Sequence, residues 1–483
     1  MSRRVTPPAA GSARLLADQA LERAAGAPLI GGNAVRVLKD ATENFPAWKE
    51  AIAGATRFIL FESYIFDDDR VGIEFRDALA AKAASGVKVR VLYDWLGSPK
   101  GLFSSRFWRP LRDAGAEVRA FNPPRLDSPF GWIRRDHRKS IAIDGRIGFV
   151  SGLCASGDWE GRPERGQDPW RDTGIEIRGP AVADVERAFA QVWSAVGDPI
   201  PEDEATDPAS IPPEGEVDLR VVAGAPNAAE LFRLDQFIAA IARERLWLTD
   251  AYFVPLSLYV EALRSAARDG VDVRLLLPGS SDLPLVSPLS RSGYRPLLEA
   301  GVRVFEWNGT MLHAKTAVVD GRWARIGSTN LNFASFVGNY ELDVAIEDEG
   351  VAAELERLYA EDLGNATEIV LKARRLGPGT AVRRAAAKPR RASPESSARG
   401  ATAGALRLGK VVGGALTHPR ELGNSESRAM AVAGVALLGL AVAAIRWPHA
   451  IAWPFAAIMT WLAVSYLIRA WRERSGGGPR RQP

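Results

Sequence analysis

Four histidines occur in the chain, at positions 137, 313, 418 and 449, and two of them share a set of neighbours. His137 is followed by Lys139 and Asp144 in RRDHRKSIAIDGRIGFVSG, and His313 by Lys315 and Asp320 in TMLHAKTAVVDGRWARIGSTN. At average residue frequencies roughly one histidine in a thousand carries Lys at +2 and Asp at +7, so two such sets are not an accident of composition. The small and branched residues after each lysine predict a strand, and strand side chains two apart leave the same face. His and Lys are then offered side by side, and the Asp-Gly step predicts a tight turn into a returning strand. Two groups that can carry positive charge on a rigid hairpin make a site for an anion. His418 and His449 lack such neighbours and read as structural or solvent-facing.

The elements that must carry these pairs are also duplicated. FILFESYIF at 58–66 resembles LWLTDAYFV at 246–254, GVKVRVL at 86–92 matches GVDVRLL at 270–276, and AGAEVRAF at 114–121 matches AGVRVFEW at 300–307. Order and spacing hold at an offset of about 185 residues, the mark of an internal repeat. Strand-like runs alternate with helical ones such as Ile73–Ala84 and Leu258–Ala267. That alternation predicts an α/β fold of two duplicated domains, each a mixed β-sheet flanked by helices. The expected boundaries are an amino-terminal extension at 1–32, a first domain at 33–200, a linker at 201–216 and a second domain at 217–372.

A doubled HxKxxxxD is the signature of the phospholipase D superfamily, and the chain resembles it over about residues 33–370. ESYIF at 62–66, YDWLGS at 93–98, DAYFVP at 250–255, GSSDLPLV at 279–286 and LHAKTAVVDGRWARIGSTNLN at 312–332 resemble the bacterial cardiolipin synthase branch in particular. The resemblance implies one site on a pseudo-twofold axis, built from His137, Lys139, Asp144, His313, Lys315 and Asp320. A phosphodiester is anionic, so its cleavage needs positive charge at the oxygens, a nucleophile, and an acid for the departing alkoxide. In the implied scheme His137 attacks phosphorus to give a phosphohistidine and His313 serves as acid and then base; the repeat symmetry leaves that order open. Lys139 and Lys315 bind the oxygens. Asp144 and Asp320 are expected to hold their hairpins rather than touch substrate. Ser328 and Asn330 match residues that bind phosphate, and Asp172 and Glu341 match acidic residues that orient a histidine. The first half departs from the pattern, because Cys154 stands where the family commonly has Asn. No cofactor and no metal are expected.

The 483 residues are 47% hydrophobic and 25% charged with a net charge of +4, so bulk charge does not point to nucleic acid. A single cysteine excludes an intrachain disulfide and a CxxC zinc site. Leu15, Leu16 and Leu21 predict a short peripheral helix or a loose tail. Loop 122–136 is about ten residues longer than its counterpart, and Phe130, Trp132 and Ile133 beside Arg134 and Arg135 suit a lipid headgroup boundary. Near the carboxyl terminus, Ala429 to Ile445 and Trp447 to Ile468 are uncharged runs separated by Arg446. They predict two transmembrane helices over 429–470, after a basic flexible linker at 373–428 and before a basic tail at 471–483. Arginines at both outer ends put the catalytic body on the cytoplasmic side of a bacterial inner membrane. The expected partners are phospholipids, phosphatidylglycerol among them, and a membrane, with nucleic acid disfavoured and the oligomeric state open. The function expected is phosphatidyl transfer, most concretely cardiolipin synthesis. Phospholipid hydrolysis to phosphatidic acid and a phosphodiester nuclease are the alternatives.

Overall fold

The computed structural model of the chain describes residues 10–98, 105–123, 134–162, 166–283 and 286–371, with scattered positions between 438 and 467. The first half contributes β1 (Ile30–Lys39), β2 (Phe58–Ser63), β3 (Lys88–Asp94), β4 (Glu117–Phe121), β5 (Ser140–Ile143), β6 (Ile147–Ser151) and β7 (Thr173–Arg178). The second contributes β8 (Val217–Gly224), β9 (Arg245–Thr249), β10 (Asp272–Pro278), β11 (Arg303–Trp307), β12 (Thr316–Val319), β13 (Trp323–Gly327), β14 (Glu341–Glu347) and β15 (Ala366–Ile369).

These strands form one 15-stranded sheet in the order β15-β11-β10-β9-β12-β13-β14-β8-β1-β7-β6-β5-β2-β3-β4. Reading outward from the β1–β8 seam, each half repeats one order: β1-β7-β6-β5-β2-β3-β4 and β8-β14-β13-β12-β9-β10-β11. Strands β2, β3 and β4 are mutually parallel, as are β9, β10 and β11, while the hairpins β5–β6 and β12–β13 are antiparallel. The sheet is therefore mixed and duplicated, with helices packed on it. At the seam the register shifts between Ile30 and Asn33, and Gly32 there takes φ +83°, a left-handed conformation that a bulge hands to glycine.

Two of the helices begin at side-chain caps. Asp69 accepts from the Gly72 N–H at 3.0 Å to start the helix Arg70–Ala84, and Asp348 accepts from the Val351 N–H at 2.8 Å to start Glu349–Leu363. A core shared by the halves joins the helix Val182–Ala195 to both halves of the sheet: Val185, Phe189 and Trp193 cluster with Val150, Ile177, Val221, Ile326 and Val344, all buried. Of the two readings of the amino-terminal extension, a peripheral helix or a loose tail, the helix is observed. This helix, Ala10–Ala25, seats Leu21 and Ala25 in the core of the second half, against Leu231 and Leu234.

The expected transmembrane pair falls almost entirely outside the described residues, as do Phe130, Trp132 and Ile133 and the basic linker and tail. The described positions between 438 and 467 are helical, and Leu438, Trp453 and Leu467 among them are exposed. Among the described residues no helix is long and apolar enough to cross a membrane.

Candidate active site

The hairpins β5–β6 and β12–β13 are pinned by the aspartates that close the two motifs. Asp144 and Asp320 stand at φ +58° and +52° in the turns. The Asp144 carboxylate accepts from the backbone N–H groups of Thr56, Arg57 and Phe58 at 2.7–2.9 Å, and Asp320 accepts from those of Arg243, Glu244 and Arg245 at 2.8–2.9 Å. Both carboxylates are thus committed to the chain entering β2 or β9.

The histidines and lysines stand just before β5 and β12, not on them, which corrects the strand placement expected from the pattern. The cause lies in the backbone. The His137 N–H donates to the Tyr340 carbonyl at 2.9 Å and the His313 N–H donates to the Arg171 carbonyl at 2.7 Å. Each motif leaves its own sheet to form a parallel bridge with the other half, Asp136 with Tyr340 and Arg171 with Leu312.

The carboxylates follow the same crossing. Nδ1 of His137 lies 2.9 Å from Oε2 of Glu341, and Nδ1 of His313 lies 2.8 Å from Oδ2 of Asp172. Each half's histidine is held by the other half's acid. An acceptor at Nδ1 fixes the proton there and turns the Nε2 lone pair outward. Lys315 Nζ lies against both ring nitrogens of His313, 2.8 Å from Nδ1 and 3.0 Å from Nε2, and it donates to the His313 carbonyl. Lys139 donates to the His137 carbonyl. Among the described residues no group engages His137 Nε2.

Burial dominates the electrostatics. The His137 and His313 side chains are 11% and 5% exposed. Burial, set against Glu341 and abetted by Lys139 and Lys315, brings the His137 pKa down to about 4. Burial and Lys315 bring His313 down to about 3, against the raising effect of Asp172 and with Lys139 lowering it further. The lysine of each half thus acts on the histidine of the other. Burial lowers Lys315 to about 8 and shifts Lys139 in the same direction. Burial alone would raise Asp172 and Glu341, but the facing imidazoles bring both below the usual carboxylate range. Among the described residues no three His, Cys, Asp or Glu side chains are grouped to hold a metal ion.

Ser328 departs from its expected contact with phosphate. It is fully buried, its hydroxyl donates to Glu341 Oε2 at 2.6 Å, and its oxygen accepts the Leu342 N–H at 2.9 Å. No proton remains for a phosphate oxygen, so Ser328 steadies the acid that steadies His137. The matching position in the first half is Gly152, where an added Cβ would collide with the Asp172 carboxylate. There Trp159 takes over the task, donating from Nε1 to Asp172 Oδ2 at 2.8 Å. Asn330 is buried, and its Oδ1 has no partner among the described residues. Its counterpart Cys154 is buried, with a thiol pKa pushed up by that burial. Arg135 also differs from expectation: it is buried and binds Asp94 at 3.0 Å instead of flanking a lipid-facing loop.

Several site residues had no assigned role in the motif reading. Tyr64 packs edge-on against His137 with ring centroids 4.9 Å apart, and Tyr252 against His313 at 5.7 Å. Trp159 and Trp170 enclose His313 at 5.2 and 5.5 Å. The tyrosines were visible as aligned letters of the repeat, in ESYIF and DAYFV. Arg138 is the buried clamp between halves, donating to the carbonyls of Glu341, Ala188 and Gly224.

Comparison with known proteins agrees with this geometry. Residues 237–363 match the family model described as "Cardiolipin synthase, PLD-like domain". A cardiolipin synthase of Geobacillus sp. (strain WCH70) is 36% identical over 355 residues, which span 73% of this chain and 70% of that protein. The chain belongs to the cardiolipin synthase family of phospholipase D-like proteins. A second family member, cardiolipin synthase A of Pseudomonas aeruginosa, is 35% identical over 74% of this chain and 72% of its own length. The crystal structure of phosphatidylserine synthase from Haemophilus influenzae shares the fold, with a TM-score of 0.57 at 14% identity over 73% of this chain and 92% of that one.

Proposed function

We propose that the chain is a phosphatidyltransferase that moves a phosphatidyl group through a phosphohistidine to a hydroxyl of phosphatidylglycerol, making cardiolipin. The observation that carries this reading is the crossed site, in which two histidines, two lysines and two acids from both halves face one another, in a member of this family. The His137 Nε2 lone pair attacks phosphorus, the bond to the donor's headgroup oxygen breaks, and the proton of His313 Nε2 goes to that oxygen. The acceptor hydroxyl then returns a proton to His313 while its oxygen attacks phosphorus and the P–N bond breaks. With phosphatidylglycerol as donor and acceptor, the balance is two phosphatidylglycerols to one cardiolipin and one glycerol.

The asymmetry at the two rings supports His137 as nucleophile. Its Nε2 is unengaged among the described residues, whereas Lys315 Nζ crowds both ring nitrogens of His313. Both rings are neutral at pH 7. An anionic diester between the lysines favours a protonated imidazole at His313. Lys139, Lys315 and Asn330 are the groups left to hold the phosphate oxygens, while Asp172 and Glu341 orient the rings. The substrate is a bilayer lipid, so the body works at a membrane surface. The arginine-flanked apolar runs near the carboxyl terminus support the cytoplasmic face of a bacterial inner membrane.

The test is purified chain with phosphatidylglycerol vesicles in EDTA, with products resolved by mass. Cardiolipin with equimolar glycerol is expected. Phosphatidic acid alone would make the chain a hydrolase, and cleavage of DNA but not lipid would overturn both.

A further inference from the structure

The two halves differ at the mouth of the site, at equivalent places in the repeat. Twelve residues after the matched Gly86 and Gly270 stand Ser98 and Asp282. Ser98 is fully buried and serves the backbone: its hydroxyl donates to the Tyr64 carbonyl at 3.1 Å and accepts the Phe66 N–H at 2.8 Å. Asp282 is exposed and faces a side chain, with its Oδ1 accepting from the Tyr252 hydroxyl at 2.9 Å and from Ser281 Oγ at 3.3 Å. Among the described residues nothing engages its Oδ2.

The loop that presents Asp282 is held in place. It follows the carboxyl end of β10, where the Gly279 N–H donates to the Trp307 carbonyl at 3.0 Å and Ser280 Oγ donates to the Thr310 carbonyl at 2.7 Å. Both ties run to the segment that leads into His313. Tyr252 packs on His313, and Lys315 Nζ lies 5.8 Å from the tyrosine ring centroid. A carboxylate and a phenol oxygen are therefore fixed on the His313 side of the site, and the first half offers no such pair at the matching position.

We propose that Tyr252 and Asp282 form a subsite for the small alcohol, selecting one that carries a second hydrogen-bond donor beside the reacting hydroxyl. The proposal rests on the phosphatidyl-transfer reading and on His313 as the acid. In an in-line displacement at phosphorus the leaving alcohol and the later acceptor occupy the same place, opposite His137 and beside His313. The Tyr252 proton is committed to Asp282, so the phenol oxygen presents lone pairs and Asp282 Oδ2 is a second acceptor. Acceptors with negative charge suit a free hydroxyl, as in glycerol, or an ammonium, as in ethanolamine. They give nothing to a simple alkanol and repel an anionic headgroup. One subsite then reads the headgroup that departs and the glycerol of the lipid that arrives.

Internal competition tests this without reference to total rate. The full chain, given phosphatidylglycerol vesicles as donor, is offered 1-propanol against deuterated glycerol, and in a second arm 1-propanol against deuterated ethanolamine. The readout is the ratio of deuterated lipid to phosphatidylpropanol. Asp282→Asn is expected to lower that ratio about tenfold, the scale of one hydrogen bond to a charged group. Tyr252→Phe keeps the ring against His313 and is expected to lower it in the same direction. A fall in one arm only identifies that headgroup as the one selected. Wild-type ratios in both variants overturn the subsite. Failure of the unaltered chain to form any transfer product overturns instead the phosphatidyl-transfer reading beneath it.

Discussion

At His137 and His313 the chemistry depends on which ring nitrogen carries a proton, and in both rings a carboxylate from the opposite half settles that. Glu341→Gln keeps the shape and removes the charge that favours a protonated imidazole at His137. It is expected to lower kcat roughly 10²–10³-fold, by analogy with other oriented histidines, and to move the pH profile, which a merely structural loss would not. Ser328→Ala, which removes one donor to Glu341, is expected to cost kcat about tenfold, the scale of one charged hydrogen bond. Lys315 sets a limb in the pH dependence. Its pKa is lowered to about 8, chiefly by burial, so the ammonium that binds phosphate is present below that pH and lost above it. kcat/KM, which reports the free enzyme, is expected to fall as pH rises through about 8. Bound diester favours the ammonium, so the limb in kcat lies higher. A kcat/KM flat from pH 7 to pH 10 would contradict this assignment.

Among the elements, the two hairpins and the two crossed bridges do the positioning. Asp320→Ala removes the acceptor of three backbone N–H groups and puts alanine at positive φ. The expected cost is about 2–4 kcal/mol, summed from unpaired donors and backbone strain and read from urea unfolding. Asp320→Asn, which tolerates the left-handed turn, should cost less. Arg171 joins the halves behind Asp172. Its Nε donates to Asp362 at 2.9 Å, its Nη1 to Asp40 at 3.1 Å, and its carbonyl receives the His313 N–H. Arg171→Met leaves Asp362 and Asp40 without their buried partner, and a loss of about 3–5 kcal/mol is expected, with turnover reduced because the segment carrying Asp172 loses its side-chain ties. Parts of this were legible in the sequence. Type and spacing gave the hairpins, because Asp-Gly turns and alternating strands are local. The crossing was not legible: bridges between residues 136 and 340 and between 171 and 312 leave no local pattern. The strand placement of His313 failed for that reason, since its N–H pairs with the other half.

At the scale of the molecule, duplication does what neither half could do alone. Each half carries a histidine and an acid that fit each other only across the seam, and the shared core around Val185, Phe189 and Trp193 holds them in register. The repeat made the duplicated α/β fold readable, because aligned strands and Gly-Val steps recur in order. It also hid the asymmetries, since symmetry suggests equal roles for Ser328 and Gly152 or for Asp282 and Ser98. These are resolved only by neighbours such as Trp159 and Tyr252. The apolar runs near the carboxyl terminus bear on where the enzyme works. Truncation after Leu371 is expected to reduce co-sedimentation with phosphatidylglycerol vesicles severalfold, with secondary structure retained by circular dichroism. The most direct measurement is turnover of phosphatidylglycerol quenched in denaturant at mildly alkaline pH, where a P–N bond survives, with the covalent adduct mapped by mass on proteolytic peptides. A phosphatidyl group on His137, lost when His137→Ala is used, is the expected result. Turnover with no histidine adduct, or with full activity surviving in either His137→Ala or His313→Ala, would contradict a single site shared by the two halves.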